Sequence, residues 1–164
     1  MAITLARIDD RVVHGQTVTR WAASKPCNAI LVISDKVAVD ELRKKVLKAA
    51  AGSLKLGIYN IEQGVAALEK AKASPKSFFI ITDSVEEFAK LKRAGGDFGQ
   101  VVNVGNLSGT RPGTKNLGNA IVINDEDVEA FDYLESQGLK IEFQMTPDNG
   151  VKGWAEYKAK YQSA

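Results

Sequence analysis

The sequence predicts an α/β fold: a doubly wound, mainly parallel sheet of seven strands with helices on both faces. Three observations carry this expectation. Strand-like and helix-like segments alternate along the whole of the 164 residues. Strand segments such as Ala29-Ile30-Leu31-Val32-Ile33 are continuously apolar, as strands covered on both faces are. The connections are short and no repeat, low-complexity tract or linker interrupts them, so residues 1–164 are expected to form a single domain.

Residues 3–8 read as the first strand, and 16–24 as a helix with Val18, Trp21 and Ala22 on one face. After the strand at 29–33, residues 37–50 read as one helix with Val39, Leu42, Val46 and Leu47 turned inward. Residues 54–59 form the third strand. The helix over 61–72 opens on a capping box, Asn60 with Gln63 three residues later. The fourth strand spans 77–81. Its helix, 85–93, opens on a second box, Ser84 with Glu87, and stops at Gly95-Gly96. Residues 100–104 and 120–123 supply the fifth and sixth strands, and a helix over 125–137 ends at Gly138. In 139–145 the alternation of Ile141, Phe143 and Met145 predicts a last strand, antiparallel at an edge and wet on one side. Trp154, Tyr157 and Tyr161 recur at helical spacing, so a final helix docks on the core; the alternative is a homo-oligomer contact.

Composition excludes several classes. A formal net charge of +2 with 26% charged residues lacks the concentrated basic face of a nucleic-acid binder. The one dense basic run, Arg43-Lys44-Lys45 with Lys48, reads as a solvated helix face, with a partner-docking patch as the alternative. Cys27 is the lone cysteine, which allows no intrachain disulfide and fits a reducing compartment; after Pro26 it reads as structural. No apolar window has the length of a membrane span, and the N-terminal residues lack a charged leader and signal core. A cytoplasmic location is expected.

In a parallel sheet the carboxyl ends of the strands share one rim, where ligands bind. The only histidine, His14, follows the first strand on that rim, within Arg7-Ile8-Asp9-Asp10-Arg11-Val12-Val13-His14-Gly15-Gln16-Thr17. These residue types suit phosphoryl transfer, which asks for positioning and charge stabilisation. The amides of Gly15, Gln16 and Thr17 open the first helix and can point donors at an anion beside His14. The same helix end favours the neutral imidazole. Arg7 and Arg11 can offer forked donors to phosphate oxygens. Asp9 and Asp10 would repel phosphate, so they are expected to pair with those arginines or to fix the histidine tautomer.

Other chemistries fit less well. One His and one Cys cannot build a histidine-cysteine metal cluster, and no metal is expected. Gly-x-Ser-x-Gly, Gly-x-Gly-x-x-Gly and Walker A patterns are missing; the run from Gly109 to Lys115 has the wrong spacing for the last. Without a nucleotide cradle, a phosphoryl donor other than ATP is favoured. The loop after the fifth strand, with Gly105, Asn106, Arg111 and Lys115, reads either as a long turn or as a partner or anion contact.

The segment from Ala6 to Gln16, followed by Thr19-Arg20-Trp21, closely resembles the signature of the IIB component of the mannose/fructose/sorbose family of the bacterial phosphoenolpyruvate-dependent sugar phosphotransferase system. Supporting likeness lies in Leu31-Val32-Ile33-Ser34-Asp35, Val102-Asn103-Val104-Gly105, 125–131 and Gly138-Leu139-Lys140-Ile141-Glu142. The resemblance implies a seven-stranded, largely parallel fold and a phosphotransferase activity without a cofactor. It implies that His14 is phosphorylated at Nδ1 by a phosphohistidine of a separate IIA chain. The group then passes to a sugar entering through the membrane components IIC and IID, at the inner face of the membrane. Arg11 matches the family's arginine beside the phosphohistidine, and Arg7 the one before it. Trp21, Arg11 and loop 105–115 are expected to flank His14 where partners dock. Two rival expectations are a regulatory domain that senses phosphorylation at His14 without passing it on, and an anion- or metabolite-binding domain. The sugar (mannose, fructose, sorbose or an amino sugar such as N-acetylgalactosamine) is not legible.

Overall fold

Strand β1 (Ile3–Ile8) is buried along nearly its whole length because it lies at the centre of the sheet. A computed structural model describes residues 2–164, apart from the side chains of Gln16 and Thr17. β2 (Ala29–Ile33), β3 (Lys55–Tyr59), β4 (Phe78–Thr82), β5 (Val101–Val104), β8 (Lys140–Phe143) and β9 (Lys152–Gly153) complete a seven-stranded sheet in the order β3-β2-β4-β1-β5-β8-β9. Every pairing is parallel except β8 with β9. The first and fourth strands run in register through Arg7 with Ile81 and Ile8 with Thr82, and Arg7 stands opposite Asn103 on the other side.

Helices cover both faces. On one, α1 (Gly15–Ser24), α2 (Asp35–Ala38) and α3 (Glu41–Ala50) pack Val18, Trp21, Val37 and Leu47 onto Leu5, Ile30, Val32, Phe79 and Ile81. On the other, α4 (Ile61–Ala73), α5 (Val85–Arg93), α6 (Asp125–Ser136) and α7 (Trp154–Ser163) enclose the larger core. The final helix docks through Trp154, Tyr157 and Tyr161, all buried, with the Tyr157 ring 4.2 Å from that of Phe143. Asn60 and Gln63 form the reciprocal capping box, and Asn124 with Asp127 forms another at α6. At α5 only half of the expected box is made. Ser84 Oγ accepts the Glu87 amide at 3.3 Å, while the Glu87 carboxylate turns to the Asp35 amide at 3.4 Å.

Three expectations need correction. Residues 120–123 do not join the main sheet: β7 (Val122–Ile123) pairs with β6 (Lys115–Asn116) in a separate antiparallel pair. Gly118, Asn119 and Ala120 take φ of 84°, 53° and 61°, and this left-handed run folds the chain back on itself so that β7 finds its partner in β6. The antiparallel edge falls on β9; the strand within 139–145 runs parallel to β5, one position further in. The single helix over 37–50 is broken, because the Asp40 side chain caps the Arg43 amide at 3.0 Å and restarts the helix. The break leaves Val39 80%, Leu42 74% and Val46 59% exposed, and of the four residues expected inward only Leu47 is buried. Among the described residues, no helix is long and apolar enough to cross a membrane.

Candidate functional site

The chain leaves β1 between the carboxyl ends of its two neighbours and is held by both. Asp9 N–H donates to Thr82 O at 2.9 Å, Gly105 N–H to Ile8 O at 2.8 Å, and Asp10 N–H to Asn106 O at 2.8 Å. A turn closed by Val12 N–H to Asp9 O (2.9 Å) reverses the direction. Val12 then adopts φ 61°, a conformation that a β-branched residue rarely takes, and its side chain is buried against the α1 face. Burial of Val12 and Val13 holds this bend in place, and the chain emerges at His14, the N-cap of α1.

Asp9 is the hub. Its carboxylate is fully buried; Oδ2 lies 3.3 Å from both Arg7 Nη2 and His14 Nε2, and Oδ1 accepts the Arg11 amide at 3.0 Å. A carboxylate only accepts, so the hydrogen of a neutral imidazole sits on Nε2, and among the described residues the Nδ1 lone pair has no hydrogen-bond partner. His14 is partly exposed and makes no capping bond to its own helix. The first turn of α1 carries no acidic residue, so the amides of Gly15, Gln16 and Thr17 open the helix without a side-chain cap from His14. The side chains of Gln16 and Thr17 lie outside the described part of the structure.

The two arginines separate. Arg7 is 2% exposed and does not present its guanidinium as a free phosphate fork, which corrects the role expected of it. Nη1 donates to Asn103 Oδ1 and to Gln144 O (3.0 Å); Nη2 donates to Met145 O (2.8 Å) and Asp9. Burial pulls its pKa below the usual guanidinium value, and the charge of Asp9 opposes that shift. Only Nε–H lacks an acceptor. Arg11, by contrast, has a 53% exposed side chain, with Nε 4.0 Å from Asp9 Oδ1, and its guanidinium is turned to solvent beside His14's anchor.

Other expected contacts are reassigned. Trp21 is buried, donates Nε1–H to Met145 O at 3.2 Å and stacks 5.2 Å from the Arg7 guanidinium carbon, so it braces Arg7 and offers no surface to a partner. Asp10 pairs with neither arginine. Its carboxylate accepts Asn106 Nδ2–H and the amides of Ser108 and Gly109 at 2.8 Å, latching the His14 loop to the loop after β5. Gly105 serves Arg7 by leaving room for it. Arg111 is tied to Asp127 (2.6 Å) and Val122 O (2.9 Å) at the start of α6, and Lys115 to Tyr161 O at 3.1 Å. Both basic side chains of that loop are engaged with α6, β7 and α7.

Sequence reasoning missed Asn103 and the carbonyls of Gln144 and Met145. A polar, buried Asn103 inside the apolar run Val101-Val102-Asn103-Val104 was the available signal; backbone carbonyls give none. Cys27 is half-buried at the amino end of β2, the opposite end from His14, and burial pushes its thiol pKa up. Among the described residues, no three His, Cys, Asp or Glu side chains are grouped to hold a metal ion.

The chain is similar to known proteins over nearly its whole length. The family described as PTS system sorbose subfamily IIB component matches residues 3–163. The sorbose-specific EIIB component of Klebsiella pneumoniae is 31% identical over 146 residues, 88% of each chain. The mannose-specific EIIAB component of Escherichia coli (strain K12) is 31% identical over 143 residues, 87% of this chain but 44% of that longer one. The crystal structure of the IIBSor domain of the K. pneumoniae sorbose permease superposes with a TM-score of 0.87 at 28% identity, over 100% of this chain and 98% of that one. The chain therefore belongs to the sorbose subfamily of IIB components, phosphoryl-transfer proteins of the sugar phosphotransferase system (PTS).

Proposed function

We propose that His14 is a phosphoryl relay point: Nδ1 accepts the group from a phosphohistidine of a IIA domain and passes it to a sugar held by the membrane components IIC and IID. The observation that carries this reading is the hydrogen bond between His14 Nε2 and the buried Asp9 carboxylate, which leaves Nδ1 as the free nucleophile. As Nδ1 bonds to phosphorus, the N–P bond of the donor breaks and its imidazole regains a lone pair. Nε2–H stays on Asp9, which offsets the positive charge that develops on the ring. Arg11 and the amides of Gly15, Gln16 and Thr17 stabilise the charge spread over the equatorial oxygens. Arg7 acts one step back, as a positioning residue that fixes Asp9.

The fused EIIAB relative supports a IIA partner. The exchange takes place at the cytoplasmic face of the membrane and uses no cofactor of its own. The test is incubation with phosphoenolpyruvate, the general phosphotransferase enzymes and IIA, followed by phosphorus NMR of the acid-labile product. One phosphate on Nδ1 of wild type and none on His14→Ala is expected. Equal labelling of the variant would overturn the relay.

A further inference from the structure

Among the described residues the exposed large hydrophobics are Val39, Leu42, Val46, Val101 and Val151, and three of these five lie within residues 39–46, from the end of α2 into α3. Leu42 and Val46 stand four residues apart on one face of α3, with Val39 just before its cap. Basic residues surround them: residues 36–48 contain Lys36, Arg43, Lys44, Lys45 and Lys48 against Asp40 and Glu41. The patch is also joined to the His14 loop. Arg43 Nη2 donates to Asp10 O at 2.9 Å, and Nη1 lies 3.7 Å from Asp83 Oδ2 on the same rim.

We infer that this apolar, basic-rimmed face is where the phosphoryl-donating protein domain docks; the inference rests on the proposed role of His14. Three physical arguments select that occupant. A second copy of this chain is disfavoured, because a two-fold contact would set the basic run against itself. A membrane surface is disfavoured as well: Leu42 and Val46 on a ten-residue helix, with Val39 just before it, lack the aromatic anchors and length of an interfacial helix. A donor domain arrives with a phosphoryl dianion already on its surface, whereas the sugar-binding partner presents a neutral acceptor. The positive rim therefore complements the donor and speeds its encounter. The Arg43–Asp10 contact makes the docking face and the His14 loop one continuous surface, so seating the donor aligns its histidine with Nδ1.

Leu42→Ser with Val46→Ser tests this without touching the site or the core, since both side chains are exposed. The purified IIA domain of the same transport system is titrated against wild type and variant by NMR chemical shift, and phosphorylation rates are measured in parallel. The expected result is a donor affinity weakened about tenfold or more, with a matching rise in KM and little change in kcat. Labelling of His14 by phosphoramidate, a small donor that needs no docking, should be the same in both proteins. Unchanged affinity for the IIA domain overturns the inference, and does so also if the variant instead loses binding to phosphatidylserine-rich vesicles or changes oligomeric state. Failure of wild-type His14 to take phosphate from either donor would sink the relay itself, while the titration still decides where the IIA domain binds.

Discussion

The guanidinium of Arg7 fills the space that a side chain at Gly105 would need: a Cβ built on Gly105 would overlap Nη2 and Cζ of Arg7. The glycine after β5 thus makes room for the cation that anchors Asp9, and through Asp9 the nucleophilic ring. Gly105→Ala must displace either the loop or Arg7. A stability loss of about 1–3 kcal/mol is expected from thermal unfolding. A drop in His14 phosphorylation of roughly tenfold or more should accompany it, because small misplacements of reacting groups are costly.

Asp9→Asn keeps the shape of the hub and removes its charge. The buried Arg7 then loses its counter-ion, which costs about 3–5 kcal/mol. The amide can present either its NH2 or its oxygen to Nε2, so the tautomer is no longer fixed. Nitrogen NMR of the ring should show mixed tautomers, and the rate of phosphate uptake should fall roughly 100-fold or more.

The two arginines should give opposite phenotypes. Arg11→Ala removes an exposed guanidinium, so stability should stay within about 0.5 kcal/mol of wild type. Its phosphorylation rate should fall about 10- to 100-fold, as expected for loss of a charge-stabilising donor. Arg7→Ala leaves Asp9 as a lone buried charge and should destabilise by about 3–5 kcal/mol. Denaturant unfolding beside single-turnover labelling separates the two. A stable, fully active Arg11→Ala would remove Arg11 from the site.

At the far end of the chain, Tyr161 donates its hydroxyl to Asp125, and its pKa is pushed up to about 12 by that hydrogen bond, with burial adding to it. Folding therefore favours the protonated phenol over the unfolded value of 10.0. The associated stability is fully present below pH 10 and is lost as pH rises toward 12. Melting temperatures across that window should fall less steeply for Tyr161→Phe than for wild type. Equal slopes would show that the pair does not link α7 to α6 through this proton.

Much of the architecture is legible locally. The capping boxes at Asn60 and the N-cap at Ser84 lie where short-range hydrogen-bonding chemistry puts them. The Asp40 cap was legible too, since an Asp three residues before Arg43 can restart a helix; the apolar spacing of Val39, Leu42 and Val46 concealed it. Helical periodicity states which residues share a face, and leaves open whether that face has anything to pack against. Here only Leu47 of α3 is fully buried against that core, with Ala50 half-buried at the helix end.

By itself the sequence determined the alternation of strands and helices, and hence that His14 stands on the carboxyl rim. Strand and helix signals are short-range properties, and the handedness of parallel crossovers does the rest. Tertiary structure alone decided the roles of the charges around that histidine. Arg7 and Arg11 look alike in the sequence, yet Arg7 belongs to a central strand flanked by β4 and β5, and its charge is buried. A buried guanidinium must find acceptors, and it finds them in Asn103, Gln144, Met145 and Asp9, three of which lie about a hundred residues or more along the chain. Contacts of that range follow from which strands become neighbours, and no local pattern encodes them.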